Sequence, residues 1–267
     1  MKIVVCIKQV PDTQKVKIDE KTGVMIRDGI ESKMNPFDLY ALETALKIKE
    51  KLNAKITVIT MGPPNAKAVI QEAFALGVDE GYLMTDRKFA GADVLATSYT
   101  LSEGIKVIDG GYDLIICGKQ TTDGDTAQVG PAIAEHLGIP HVSWVTKIID
   151  ASNDDITFVE DMLDDIAQAK MAYPCLITVD KDISQPRLPS YRLKKQASDK
   201  QIKIITLADL SDQDPDNYGL SGSPTQVERI FEPSSEHKVE RYEQDAETNA
   251  FKIYQKLVEL KYVEDQK

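Results

Sequence analysis

The segment GKQTTDGDTAQVG, residues 118–130, carries the residues of this chain that are best suited to hold a polar ligand. It follows an apolar run, YDLIICG, and precedes PAIAEHLG, which is typical of a helix. Small residues allow a phosphate to approach the main chain, and neighbouring side chains add donors. These donors are Thr121, Thr122, Thr126 and Gln128. Because the loop exceeds the roughly two to six residues usual for a strand-to-helix turn, we expect a phosphate site.

The two aspartates of this loop are expected to have separate roles. If the following helix begins near Asp125 or Thr126, its free N–H groups and its dipole favour a phosphate. Asp125 is then expected to cap the helix. Asp123 is expected to accept a hydrogen bond from a sugar hydroxyl, because a carboxylate cannot donate to a phosphate. An N-capped turn without a ligand is the alternative.

Motifs of several catalytic classes are absent from the sequence. There is no GxxxxGK[ST], no GxGxxG after a strand, no GxSxG and no HExxH. A calcium loop is excluded because Gln128 lies where that loop requires glycine and Ala134 where it requires glutamate. Neither the cysteines nor the histidines have metal-ligand spacing, and we expect buried thiols at Cys6, Cys117 and Cys175. The residues therefore indicate nucleotide binding without acid–base catalysis.

The composition favours a soluble protein with a sizeable core. Of 267 residues, 42% are hydrophobic, and 32 basic against 43 acidic residues give a net charge of −11. This excess of negative charge argues against a nucleic-acid-binding protein. No apolar run is long enough to cross a membrane, and the start, MKIVVCIKQV, is typical of a strand rather than a signal peptide. We expect a cytoplasmic protein without membrane insertion.

Alternating apolar runs and helical patterns predict an α/β fold, a doubly wound, mostly parallel sheet of the Rossmann-like, adenine-nucleotide-binding kind. The predicted strands span 2–7, 55–60, 80–85 and 113–118, and the predicted helices span 35–52, 65–77, 91–108 and 126–138. Asn35 is the expected N-cap of the first helix, Pro36 its first residue and Gly77 the C-cap of the second. Phe37 has a flat ring that suits an adenine, although an ordinary helix start explains MNPFD nearly as well.

Beyond residue 140 the pattern changes. Runs at 141–149, 155–162, 164–172 and 174–180 are typical of strands joined by short turns, which predicts antiparallel additions to the sheet. Residues 183–201 show no core pattern, residues 202–210 indicate a short strand and turn, and residues 246–260 indicate a helix with a narrow apolar stripe. We therefore predict a nucleotide-binding α/β domain over residues 1–195 and a C-terminal extension over residues 196–267.

The stretch PRLPSYRLKKQ, residues 186–196, mixes apolar and basic residues. Its apolar residues are Leu188, Tyr191 and Leu193, and its basic residues are Arg187, Arg192, Lys194 and Lys195. On so acidic a protein, an exposed apolar tip surrounded by basic groups suits docking to a partner. A solvated linker is the alternative.

Seven stretches occur in an order that resembles the beta subunits of electron-transfer flavoproteins. They are VCIKQVPDT, SKMNPFDLYALE, TMGPP, GKQTTDGDTAQVG, YPCLITVD, QPRLPS and GLSGSPTQVERIF. Each stretch alone is a weak signal, but seven in one order are specific, and the resemblance covers residues 1 to about 232. It implies a subunit that pairs with an FAD-carrying alpha subunit, the heterodimer shuttling electrons between dehydrogenases and other carriers.

The resemblance also implies which residues contact a bound adenine nucleotide. Carried over motif by motif, they are Cys6, Asn35, Pro36, Phe37, Asp38, Met61, Gly118, Lys119, Gln120, Thr121, Thr122, Asp123, Gly124, Asp125, Thr126, Ala127, Gln128 and Val129. In the family, an apolar anchor in the loop matching residues 186–196 recognises the partner dehydrogenase. Here that anchor falls at Tyr191, where leucine is common, with Leu188 beside it. The C-terminal extension, by the same resemblance, packs on the alpha subunit.

Two kinds of beta subunit exist in this family. One holds AMP as a structural component, and the other, in electron-bifurcating complexes of anaerobes, holds FAD in the same cleft and takes hydride from NADH. TDGDTAQVGP resembles the second kind, because the AMP-binding kind tends to have an acidic residue in place of Gly124 and Asn in place of Ala127. The resemblance thus implies FAD, with NAD as electron donor, an acyl-CoA or other flavin-dependent dehydrogenase as partner, and ferredoxin or flavodoxin as acceptor. The alternatives are an AMP-binding subunit with all redox chemistry in the alpha chain, and a free-standing adenine-nucleotide sensor or hydrolase.

Overall fold

The computed structural model describes residues 1–12, 32–162, 164–228 and 239–263. The chain divides into two compact units, Met1–Arg229 and Ile230–Lys267. The first unit therefore continues past residue 195, where the domain boundary was predicted. Residues beyond that point contribute buried side chains to it, namely Ala197, Ile205, Leu210 and Tyr218.

The described residues of the first unit form a nine-stranded sheet. Its strands are β1 (Lys2–Cys6), β4 (Lys55–Met61), β5 (Glu80–Met84), β6 (Leu114–Gly118), β7 (His141–Ala151), β8 (Asp155–Asp161), β9 (Ile166–Ala172), β10 (Cys175–Val179) and β11 (Ile202–Ile205). Their order across the sheet is β11-β5-β4-β1-β6-β10-β7-β8-β9. A separate antiparallel pair consists of β2 (Gln9–Pro11) and β3 (Ser32–Met34). From β11 to β7 every neighbouring pair is parallel, which confirms the predicted sheet.

The helices that were predicted from periodicity are present. The α-helices of the described residues are α1 (Pro36–Leu52), α2 (Lys67–Leu76), α3 (Val94–Lys106), α4 (Val129–Leu137), α5 (Tyr191–Ala197) and α6 (Ala246–Glu259), of which α5 was not predicted. As predicted, Pro36 is the first residue of α1, where its fixed φ suits a helix start. Gly77 ends α2 with φ 117°, a left-handed conformation that favours glycine.

The helices cover both faces of the sheet. Leu42 of α1 and Phe74 of α2 lie in the apolar layer on one face, and Ile105 of α3 and Ile133 of α4 lie in the layer on the other. Such burial explains why the central strands have nearly continuous apolar sequences. The fold is thus the doubly wound α/β arrangement that was predicted.

Two predictions about the later part of the first unit need correction. Of the four runs that were predicted as antiparallel additions, β8 and β9 are antiparallel, whereas β7 and β10 continue the parallel part of the sheet, and β10 lies between β6 and β7. All five residues of β10 are buried, as expected of a strand covered on both faces. Residues 183–201, predicted to lack a core pattern, contain α5, which packs against α2 and buries Ala197. A helix this short shows little periodicity, so its tertiary contacts decide that it forms.

The second unit contains α6, the C-terminal helix that was predicted. The Asp245 carboxylate caps it by accepting a hydrogen bond from the Thr248 N–H at 3.0 Å. Phe251 and Leu257 of the apolar stripe are 60% and 38% exposed. No helix among the described residues is both long enough and apolar enough to cross a membrane.

Candidate functional site

The strand order reverses between β1 and β6. From β1 the chain proceeds outward through β4 to β5, and α3 then carries it back to β6 on the other side of β1. The loops that follow β1 and β6 therefore leave the sheet in opposite directions and open a crevice at its carboxyl edge. Lys8 follows β1, residues 119–128 follow β6, and the start of α1 lies beside Gly118 at the end of β6.

Asn35 connects all three segments. Its side chain is fully buried, and its amide nitrogen donates to Asp38 Oδ1 at 2.8 Å and to the Gln120 carbonyl at 2.9 Å. Its amide oxygen accepts from the Thr122 N–H at 3.3 Å, and its main-chain N–H donates to the Lys8 carbonyl at 2.8 Å. Asn35 is the N-cap residue of α1, as predicted, but its side chain makes no capping hydrogen bond to the helix. Tertiary partners take up the amide that would otherwise cap the helix.

Asp38 is a buried acid at the base of the crevice. It accepts hydrogen bonds from the Lys8 N–H at 2.7 Å and from Asn35. Burial raises the pKa of Asp38 to about 7, although both hydrogen bonds favour the carboxylate. The carboxyl group thus bonds to the segment after β1 and to the Asn35 amide, which in turn bonds to the loop after β6.

Lys8 and Asp123 face each other across the crevice. The Lys8 ammonium lies 2.8 Å from both carboxylate oxygens of Asp123, and the two side chains are 43% and 30% exposed. Burial raises the pKa of Asp123, but hydrogen bonding and attraction from Lys8 bring it below its usual range. Lys8 thus supplies a solvent-accessible cation at this edge. Lys8 was not predicted as a site residue, although it lies within the CIKQVPDT stretch.

Gly118 permits the close approach of α1 to the loop. A Cβ at this position would lie 2.6 Å from Asp38 Oδ1 and 2.7 Å from the main-chain carbon of Phe37. Gly124, further along the loop, has open surroundings, because a Cβ there would meet only Thr121 Oγ1 at 3.1 Å. The first glycine is therefore required for packing, while the second leaves space in the crevice.

The outer part of the loop is exposed to solvent and has an unusual main chain. Residues 122–126 and Gln128 are exposed, and Asp125 and Ala127 both have φ 55°, a region that non-glycine residues seldom adopt. Helix α4 begins only at Val129, so the prediction that Asp125 caps it is wrong. Asp125 instead accepts a hydrogen bond from the Gln120 side chain. The free N–H groups at the start of α4 belong to Val129 and Gly130, because Pro131 follows them.

The remaining predicted contacts lie around the floor and sides of the crevice. Cys6 and Cys117 are register partners at the ends of β1 and β6, and both are buried and free. The Cys6 thiol and burial raise the pKa of Cys117, which marks it as an unreactive core thiol, as predicted. Phe37 and Met61 are half-buried, and Met61 ends β4 next to β1. The predicted residues are thus brought to one edge of the sheet from four separate stretches of sequence.

The predicted docking segment is held by an ion-pair cluster that was not predicted. The Arg187 guanidinium donates to the buried Glu43 carboxylate at 2.8 and 3.0 Å and to Glu50 at 2.6 Å. The Arg187 N–H also donates to Glu43, and these hydrogen bonds raise the pKa of the guanidinium. Beyond this anchor, Leu188 and Tyr191 are 89% and 85% exposed. Because 144 residues separate Arg187 from Glu43, no local pattern shows their pairing.

Among the described residues, no group of three or more histidine, cysteine, aspartate or glutamate side chains is arranged to hold a metal ion. The strand order and the loops at its reversal define a doubly wound α/β protein of the kind that places ligands outside its strand ends.

Comparison with known proteins narrows this class. A model of the electron transfer flavoprotein domain matches residues 22–210. Electron transfer flavoprotein subunit beta of Clostridium acetobutylicum is 44% identical over 263 residues, which cover 98% of this chain and 100% of that protein. Caffeyl-CoA reductase-Etf complex subunit CarD of Acetobacterium woodii is 45% identical over 235 residues, 87% of this chain and 88% of that protein. Protein FixA of Azorhizobium caulinodans is 39% identical over 240 residues, 88% of this chain and 85% of that protein.

The chain therefore belongs to the electron transfer flavoprotein family, and its similarity to a beta subunit extends over nearly its whole length. This confirms the family that the seven stretches resemble and indicates a component of flavin-associated electron transfer.

Proposed function

We propose that this chain is the beta subunit of a bifurcating electron transfer flavoprotein. It binds FAD in the crevice between β1 and β6, receives electrons from NADH, and passes them to a partner dehydrogenase and to a low-potential carrier such as ferredoxin or flavodoxin. The observation that carries the proposal is the convergence at the strand-order reversal of an exposed polar loop, the free N–H groups of α4 and the Lys8 ammonium.

Each of these groups suits one part of a dinucleotide. Main-chain N–H groups at a helix start and an accessible ammonium stabilise phosphate oxygens. Asp123 is positioned to accept from a ribose hydroxyl while it keeps its hydrogen bonds to Lys8, because a carboxylate has lone pairs for both. Phe37 offers a half-buried ring at the start of α1 for an adenine. When bound, a flavin supplies two-electron uptake with one-electron release, and the protein supplies binding, orientation and electrostatics.

The space around the loop supports FAD rather than AMP. Gly124 leaves the middle of the loop without a side chain, and Ala127 has only a methyl group at its left-handed main-chain position. A more extended ligand has room there that acidic or amide side chains would fill. The Acetobacterium woodii relative is named as a subunit of a reductase-Etf complex, which agrees with this proposal.

The proposed partners are an alpha subunit and a flavin-dependent dehydrogenase, of the acyl-CoA or a related type. Leu188 and Tyr191 form an exposed apolar pair beside basic residues, and Arg187 fixes the base of this segment to α1. Apolar anchors that are held in place before binding reduce the entropy lost on association. The exposed apolar side chains of α6 suit contact with the alpha subunit.

The test is to purify the chain co-expressed with its alpha subunit and to identify the released nucleotides by chromatography. We expect two FAD per heterodimer and reduction of bound flavin by NADH. One FAD with one AMP would refute the bifurcation proposal and support a structural nucleotide in this chain. A monomer without a flavoprotein partner would support an independent nucleotide-binding protein instead.

A further inference from the structure

Lys119, at the start of the crevice loop, makes three contacts with residues outside the loop. Its ammonium lies 2.7 Å from Asp180 Oδ2 and 4.6 Å from the ring centroid of Trp144. Its main-chain N–H donates to the Val179 carbonyl at 2.9 Å. The side chains of Lys119 and Asp180 are only 25% and 14% exposed, so solvent screens this pair less than it screens a surface pair.

Trp144 reaches Lys119 from an unusual main-chain conformation. Its φ is 60°, which is sterically unfavourable for a bulky residue. The register between β7 and β10 shifts between Ile177 and Val179, and the Trp144 N–H donates to Thr178 Oγ1 at 2.9 Å. Irregularities of this kind redirect a side chain and are found near functional sites. The strained main chain thus places the indole against the lysine.

Lys8 and Lys119, the two lysines described at the crevice, differ in how accessible their ammonium groups are to a phosphate. Lys8 is 43% exposed and its ammonium binds Asp123, which is itself part of the loop. The charge of Lys119 is neutralised by Asp180, which lies outside the loop, and one side of its ammonium faces the Trp144 ring. A phosphate that recruited Lys119 would have to displace both contacts, whereas Lys8, being 43% exposed, can be approached from solvent while its ammonium stays paired with Asp123.

We propose that Lys119, Trp144 and Asp180 form a positioning unit that fixes the first residues of the loop, and that Lys119 is not a phosphate ligand. The proposal rests on the proposed nucleotide site and assigns its phosphate-facing cation to Lys8. Lys119 acts on a ligand only through the loop it holds. Loss of the Lys119 side chain is therefore expected to weaken binding of the adenosine part and of the phosphate part of a ligand by the same factor.

The test uses the full chain, freed of nucleotide, with adenosine and AMP as calorimetric probes. Lys119→Met and Asp180→Asn are each expected to lower the affinity for both probes by the same factor, about tenfold. The double variant is expected to lower it by no more than either single variant does. Lys119→Arg, which keeps the charge, is expected to bind nearly as the parent does. Lys170→Met removes a more exposed ion pair on β9 and serves as a control. Selective loss of AMP binding in Lys119→Met, or tighter AMP binding in Asp180→Asn, would overturn the proposal.

A second measurement separates this proposal from the nucleotide site itself. Trp144 is the single tryptophan of the chain, so its emission reports the contact with Lys119 directly. Lys119→Met and Asp180→Asn are expected to change this emission and to speed amide exchange in residues 118–122, while Lys170→Met changes neither. Absence of both changes would refute the positioning unit. Failure of the parent chain to bind either probe, with both changes present, would refute the nucleotide site alone.

Discussion

Replacement of Asn35 by alanine removes the side chain that joins the crevice loop to the start of α1. Three hydrogen bonds are lost, to the Gln120 carbonyl, from the Thr122 N–H and to Asp38. Because Asn35 is fully buried, water cannot replace these bonds without entering the core. At about 1 kcal/mol for each neutral bond and somewhat more for the bond to Asp38, we expect the free energy of unfolding to fall by about 3–5 kcal/mol.

Urea denaturation of the full chain measures this loss, with an unchanged slope showing that only stability has changed. Asn217→Ala is a matched control, since this exposed amide makes one side-chain hydrogen bond, to Asp212, and its loss is expected to cost less than about 1 kcal/mol. The Asn35 variant is also expected to bind adenine nucleotides more weakly. If Asn35→Ala costs no more than Asn217→Ala and leaves nucleotide affinity unaltered, Asn35 does not hold the loop.

Three further predictions concern residues around the crevice and the docking segment. Gly118→Ala places a methyl group against the main chain of Phe37 and is expected to lower the free energy of unfolding by about 1–3 kcal/mol. Urea denaturation measures this loss, and Gly124→Ala is expected to change the free energy of unfolding little. Glu43→Gln is expected to speed amide exchange at Arg187, while Glu50→Gln, at the 61% exposed partner of the same guanidinium, has a smaller effect. The pKa of Asp38, raised to about 7, means that the folded state holds a proton more tightly than the unfolded chain. The stability that this proton contributes is therefore lost as pH rises from about 4 to about 7. The urea midpoint of the parent chain is expected to fall across this range, and that of Asp38→Asn is expected to fall less.

Periodicity was sufficient to predict the central layers of the fold. Four apolar runs and four helical patterns matched β1, β4, β5, β6 and α1 to α4, because burial on both faces of a parallel sheet and on one face of a helix leaves direct marks in sequence. The order of these elements then required their loops to meet at one edge. For this reason the crevice was predictable before any side-chain contact was known.

Contacts between distant segments were not predictable in this way. Asn35 and Asp125 both carry side chains that favour helix caps. The Asn35 amide instead bonds to the distant Gln120 carbonyl, and Asp125 accepts a hydrogen bond from Gln120 within its own loop. Two other contacts join residues that are far apart in sequence, so no local pattern indicates them. They are the ion pair of Arg187 with Glu43 and the contact of Lys119 with Trp144. Helix α5 was missed for the same reason, since α2 supplies the surface on which it forms.

The sequence by itself determined the layered α/β architecture, the edge at which its polar loops meet and, through seven ordered stretches, the family. Only the tertiary structure decided which polar groups hold the loops and which remain accessible to a ligand. The physical reason is that hydrophobic burial repeats with the period of each element, whereas a hydrogen bond or an ion pair depends on the distance between two particular atoms, and that distance is set by packing.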